Sequence, residues 1–143
     1  MPLPNKIKNR LIEIVGPNGL ISEPDKMMPY LHEERGLEKG KADIVLRPNK
    51  VQDVSSIVKI CAEEKIPIVP VGGCTGLVGG TLASGGVVLA TDRLNTIIQV
   101  DPLNNTITAE SGCILANLQA AALEKKCLFP LSLGAEGSCQ IGG

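Results

Sequence analysis

Aromatic residues are almost missing from this 143-residue chain: Tyr30 and Phe129 stand alone, and there is no tryptophan. Its core must therefore be assembled from Val, Ile, Leu and Ala, as in sheets covered by helices. Charge of one sign is also missing, with 14 basic residues against 15 acidic ones and a net charge of −1. Nucleic-acid binders need a basic face and usually stacking platforms, so that class is excluded. Histidine occurs once, as His32, and the five cysteines (Cys61, Cys74, Cys113, Cys127, Cys139) form no C-x-x-C pair. No zinc pattern or other metal-ligating cluster follows from these. The thiols read as reduced small apolar fillers, which predicts a cytoplasmic location. No apolar run approaches the ~20 residues of a membrane span. Lys6, Lys8 and Arg10 are followed by no long apolar core, so a secretory leader is not expected.

The chain has the length of one domain, and its 43% apolar content is enough for a packed core. Glycine is abundant and concentrated. Residues 70–80, PVGGCTGLVGG, carry Gly72, Gly73, Gly76, Gly79 and Gly80 directly after an apolar run over 66–71. Such a loop leaves successive N–H groups free to converge on an anion. A glycine-rich turn between two core strands is the competing reading.

Leu3, Ile7, Leu11 and Ile14 recur at helical spacing, which predicts an amphipathic helix over about 4–15, ended by Gly16-Pro17. Residues 22–42 are charged and irregular and read as exposed, so 1–41 forms a helix plus a lead-in segment. A strand is expected over 43–46. Asn49 and Gln52 then make a capping box for a helix over about 51–65, with Val54, Ile57, Val58 and Cys61 on its buried face. A buried strand over 66–71 completes a parallel βαβ unit, whose carboxyl end feeds the glycine loop. Further strands are expected over 86–90, 96–100 and 106–110, the last two joined by the turn-rich DPLNN segment as an antiparallel pair. Leu115, Leu118 and Ala122 mark a helix over about 114–126, with Lys125 and Lys126 at its negative end. A second small-residue loop carries Gly134, Gly137, Gly142 and Gly143. A sequence stopping inside such a loop reads as a truncated protein. The elements amount to an α+β fold, with a small parallel βαβ sheet and a mixed or antiparallel sheet.

The glycine loop lacks the Lys-Ser/Thr of a Walker A sequence and the G-x-G-x-x-G of a dinucleotide fingerprint, and a strand rather than a helix follows it. Anion binding there rests on loop N–H groups and the Thr75 hydroxyl. With no Lys or Arg in the loop, a pyrophosphate held permanently suits it better than a triphosphate being cleaved.

The PVGGCTGLVGG stretch, followed about fifty residues later by PLSLGAEGSCQIGG (130–143), resembles the FAD-linked D-2-hydroxyacid dehydrogenases. The similarity extends over 29–143, including Leu46-Arg47-Pro48 and ESGCI (110–114). More specifically it resembles the D-2-hydroxyglutarate and D-lactate dehydrogenase branch, which carries a FAD-binding domain of the vanillyl-alcohol-oxidase/p-cresol-methylhydroxylase (PCMH) type. The resemblance implies that 42–143 is the N-terminal portion of that domain, with FAD as cofactor. Pro70, Val71, Gly72, Gly73, Cys74, Thr75, Gly76, Gly79 and Gly80 would hold its pyrophosphate and ribose. Pro130, Leu131, Leu133, Gly134, Gly137, Ser138, Ile141 and Gly142 would line the flavin and phosphate tail. Gly112 would sit close by, where a side chain is unwelcome. Cys74 stands where the family commonly has Asn; with no neighbouring cation to activate it, it reads as filler rather than a reactive thiol. Cys139 would pack near the cofactor.

In the family the metal, the base and the substrate carboxylate site belong to a later domain. The resemblance thus assigns no catalytic residue to this chain: His32 reads as solvent-facing, and Arg35 and Arg47 as structural. The implied substrate is a small 2-hydroxyacid whose hydride passes to the flavin, and the 143-residue piece alone would not turn over. Electron acceptor and oligomeric state, a homodimer included, are left open, as is a peripheral membrane association through the acceptor. Two other readings stand: a superfamily oxidoreductase acting on glycolate or a sugar derivative, and a non-enzymatic α/β module for a phosphorylated ligand.

Overall fold

The computed structural model describes residues 3–143. In chain order the first elements are α1 (Asn5–Val15), β1 (Leu20–Ile21), α2 (Pro24–Met27), β2 (Ile44–Leu46) and α3 (Val51–Glu63). They are followed by β3 (Ile68–Val71), β4 (Val87–Ala90), β5 (Ile97–Asp101), β6 (Thr106–Ala109) and α4 (Leu115–Glu124).

Four strands form one sheet in the order β1-β2-β4-β3, with β4 parallel to both β2 and β3 and β1 antiparallel to β2. The expected βαβ unit is present, but its two strands do not touch, because β4 is inserted between them. All four residues of β4 are buried, as a central strand requires. Successive side chains point to opposite faces, so Val87 and Leu89 join Ile44 and Leu46 beneath α1 and α3, while Val88 and Ala90 join Val45 and Met27 on the other side. The expected buried strand over 66–71 is shorter and lies at the sheet edge. Pro70, which lacks an N–H and sits within β3, is at home only there.

Helix α1 follows the apolar period, burying Ile7, Leu11 and Val15 against α3, with Arg10 reaching Glu63 and Glu64 at 3.8 and 3.1 Å. Helix α3 departs from expectation in two ways. The capping residue is Lys50, with no side-chain hydrogen bond, so the Asn49–Gln52 box does not form. The buried face runs through Asp53, Ile57 and Cys61 and leaves Val58 46% exposed. The charged lead-in is not uniformly solvated either: Glu33 is buried and accepts the Leu37 N–H at 3.3 Å, and His32 is half-buried with its main chain bridged to Lys39.

Helices α3 and α4 end alike. Lys65 and Lys126 adopt left-handed φ values of 55° and 59°, and Ile66 and Cys127 donate back to Cys61 and Ala122 at 2.8 and 3.0 Å. These are Schellman closures with lysine where glycine is usual. Lys125 and Lys126 thus lie beyond the helix rather than in its last turn. Strands β5 and β6 pair antiparallel with an irregularity between Ile97 and Gln99, and α4 packs on β5.

Candidate functional site

The loop after β3 begins at the carboxyl edge of the sheet. Among the described residues, no amide N–H from Gly73 to Gly80 donates to a backbone or side-chain acceptor. A run of unpaired main-chain donors in a concave loop is what an anion requires. Cys74 turns the chain with φ 53° and sends its side chain down into the core formed by Met27, Val45, Ala83 and Val88. Burial pushes its thiol above the ordinary range, which makes it filler rather than a nucleophile.

The second loop is more fully bonded. The N–H groups of Glu136, Ser138, Cys139, Ile141, Gly142 and Gly143 all find backbone acceptors. It is also fastened to the start of α4: Leu115 and Ala116 donate to the carbonyls of Cys139 and Glu136 at 3.1 and 2.9 Å. These carbonyls take the place of a side-chain cap, which α4 lacks.

The two loops meet face to face. A Cβ on Gly73 would overlap the Ser138 carbonyl and lie 3.1 Å from the Cys139 Cα, and one on Gly72 would lie 2.8 Å from the Gly143 Cα. Between the loops is a cavity of about 360 Å³. From the first loop Gly72, Gly73, Cys74, Thr75 and Gly76 line it; from the second, Leu131, Leu133 and Ile141 do. Gly76 faces open space, and a Cβ there would meet nothing within 4 Å. No Lys or Arg lines the cavity.

The remaining sequence-assigned residues lie outside this lining. Pro70 and Val71 form the root of the first loop in β3. Gly79 borders a smaller hollow with Leu77, Val78 and Glu33, and Gly80 is exposed. Pro130 lines an apolar groove with Leu123, Leu128 and Phe129. Gly134, Gly137, Ser138 and Gly142 are exposed, Gly142 against Ser111. Gly112 is buried under the backbone of Thr91 and Leu94, so the room it lacks is occupied by protein. Sequence reasoning omits Thr81, Leu115, Gln140 and Gly143 as lining residues and treats Cys139, which also lines the cavity, as packing. Gln140 is legible as the one amide inside the second glycine motif; nothing in sequence points to Leu115.

Charged groups at this end of the sheet are already engaged. Arg47 Nε donates to Asp92 Oδ2 at 2.9 Å, and Arg93 donates to the Arg47 carbonyl at 3.0 Å. The hydrogen bond to Asp92 raises the Arg47 pKa, and burial followed by the Asp92 charge raises that of Tyr30. Arg47 is thus structural, as expected. Among the described residues no group of three or more His, Cys, Asp or Glu could hold a metal, and no helix is long and apolar enough to cross a membrane. A neutral, amide-rich cradle beside the apolar wall of Leu115, Leu131 and Leu133 fits a dinucleotide with a pyrophosphate and an aromatic ring system.

The family model described as "FAD binding domain" matches residues 42–143. The chain is 35% identical over 128 residues to the mitochondrial D-2-hydroxyglutarate dehydrogenase of Danio rerio, covering 89% of this chain and 24% of the relative. It is 30% identical over 138 residues to glycolate oxidase subunit GlcD of Bacillus subtilis, covering 96% of this chain and 29% of the relative. The solved structure of p-cresol methylhydroxylase with substrate bound superposes with a TM-score of 0.74 at 24% identity, over 94% of this chain and 27% of the other. The chain thus spans about a quarter of the length of these proteins, and the fold is of the expected PCMH type. The cytoplasmic location expected from the free thiols is corrected: the relatives from Danio rerio and Arabidopsis thaliana are named as mitochondrial enzymes. Unpaired cysteines indicate a reducing compartment but not which one.

Proposed function

The chain belongs to the FAD binding domain family, and from that premise we propose that it forms part of a flavin-dependent dehydrogenase for small D-2-hydroxyacids. The observation that carries this reading is that Gly73, Cys74, Thr75 and Gly76, whose amides are unpaired among the described residues, line one cavity together with the apolar Leu115, Leu131 and Leu133. Flavin supplies the acceptor for the hydride removed from the substrate Cα. The contribution of this chain is to bind and orient. The amides of the first loop hold the pyrophosphate, with the Thr75 hydroxyl as an additional donor. The absence of a cation in the lining leaves the phosphate charge to main-chain dipoles. Leu115, Leu131 and Leu133 keep water from the apolar part of the cofactor. No side chain of the cavity is a general base, so removal of the substrate hydroxyl proton falls to residues outside this cavity.

The similarity to a glycolate oxidase subunit favours a second substrate reading, oxidation of glycolate by the same cofactor. The test is to purify the full-length protein, record its visible spectrum, and assay it by dye reduction with D-2-hydroxyglutarate, D-lactate and glycolate. A flavin spectrum with highest kcat/KM on D-2-hydroxyglutarate or D-lactate is expected. Preference for glycolate selects the second reading, and a colourless protein that takes up no FAD overturns both.

A further inference from the structure

One buried polar link joins the roots of the two loops. Thr91, 9% exposed, directly follows β4, and its Oγ1 lies 3.2 Å from the Val71 carbonyl and 2.7 Å from the Gln140 side-chain amide. A hydroxyl has a single proton, so it cannot donate to two carbonyl oxygens at once. Both contacts are satisfied when the Gln140 amide presents Nε2: the amide donates to Thr91 Oγ1, and the hydroxyl donates to Val71. Val71 is the residue from which the first loop departs, and its carbonyl also accepts the Thr91 N–H at 3.1 Å. Gln140 belongs to the second loop, where its main chain bridges to Ile114 and its Cβ lies 3.3 Å from the position a Cβ on Gly72 would take. Thr91 is itself fixed, since its carbonyl accepts from Leu94 at 2.8 Å and is covered by Gly112.

We propose that Thr91 and Gln140 are positioning residues for the cofactor, their side chains locking the second loop to the root of the first and so setting the width of the cavity. The proposal rests on the FAD reading above. An amide cradle is effective only when its donors are held within about half an ångström of the geometry that meets the phosphate oxygens. Among the described residues no amide N–H from Gly73 to Gly80 is hydrogen-bonded, so the shape of the first loop depends largely on its ends and on the loop packed against it. A lock at the ends lets the free protein hold the bound geometry, so less ordering remains to be done when FAD enters.

The test uses full-length protein stripped of flavin, with FAD titrated and followed by flavin fluorescence, at a temperature where circular dichroism shows every variant folded. Thr91→Val and Gln140→Leu should each weaken FAD binding about tenfold. Thr91→Ser keeps the hydroxyl and should stay within about twofold of wild type. The double variant should be no worse than the weaker single one, because both remove the same link. Single variants that melt earlier yet bind FAD like wild type overturn the proposal, since a merely structural bond changes stability without changing affinity in the folded protein. Additive losses also overturn it, because they indicate separate contacts with the ligand. A wild-type protein that takes up no FAD removes the functional reading itself, a result distinct from equal binding by wild type and variants.

Discussion

Gly73 and Gly76 stand three residues apart in one loop, yet the structure gives their hydrogens different neighbours. At Gly73 the added methyl of an alanine would run into the Ser138 carbonyl, with the Ser138 carbonyl carbon at 3.0 Å and the Cys139 Cα at 3.1 Å. All three are backbone atoms of a segment pinned by its own hydrogen bonds, so rotation of a side chain cannot relieve the overlap. Overpacking of this kind costs about 1–3 kcal/mol. For a full-length protein that corresponds to a fall of about 2–4 °C in Tm per kcal/mol or less, given its larger unfolding entropy. Since the overlap wedges the loops apart, FAD affinity should fall as well. At Gly76 nothing lies within 4 Å, and the backbone is not left-handed. Gly76→Val should therefore leave apoprotein stability within about 0.5 kcal/mol of wild type. Yet it places a branched side chain where the phosphate must approach, and FAD affinity should fall by at least about tenfold. The assay is a pair of measurements on each variant: thermal melting of the flavin-free protein and FAD titration. The expected pattern is Gly73→Ala impaired in both and Gly76→Val impaired only in binding. If Gly73→Ala melts with wild type, the loops are not in the contact described. If Gly76→Val binds FAD normally, the first loop does not hold the phosphate.

Two further outcomes follow from the packing. Lys65→Gly and Lys126→Gly remove a side chain from left-handed closures and should each stabilise the protein, by about 1 kcal/mol at most, measured by urea denaturation; destabilisation would refute the Schellman assignment. Burial raises the thiols of Cys61, Cys74 and Cys113, so each favours the folded state below the ordinary thiol range, and this contribution disappears as pH rises through the raised folded value. Stability should thus decline into the alkaline range, and Cys61→Val should flatten the decline in melts compared between neutral and alkaline pH; an unchanged slope would refute it.

Much of the fold is encoded in local pattern. Helix α1 follows from Leu3, Ile7, Leu11 and Ile14, because one apolar stripe at helical period has only one way to be buried. The hairpin of β5 and β6 follows from its turn residues and alternation, and the loop over 70–80 from glycines whose density no ordinary connector needs. Where neighbours in space replace neighbours in sequence, that legibility ends. Helix α4 is capped by carbonyls of Glu136 and Cys139, twenty residues and more downstream, so no capping residue precedes it. Helix α3 turns Asp53 inward and Val58 outward because its face is set by α1 and the sheet, not by its own apolar sum. The insertion of β4 between β2 and β3 is a choice among pairings that hydrophobic runs of equal quality cannot distinguish.

The same division applies to the site. Sequence by itself determined that two glycine motifs are present, that neither carries a phosphate-binding cation, and that the pattern is that of a FAD-binding family. It could not tell that the two motifs have unlike tasks, since both are small-residue loops with the same backbone donors. Only the tertiary structure decided which amides are free: those of Glu136, Ser138, Cys139, Ile141, Gly142 and Gly143 in the second loop are tied up by Ser111, Cys113 and their own turns, while among the described residues those from Gly73 to Gly80 have no protein acceptor. Hydrogen-bond capacity is a property of residues, but its availability is a property of what lies within about 3 Å, and that is fixed by the fold.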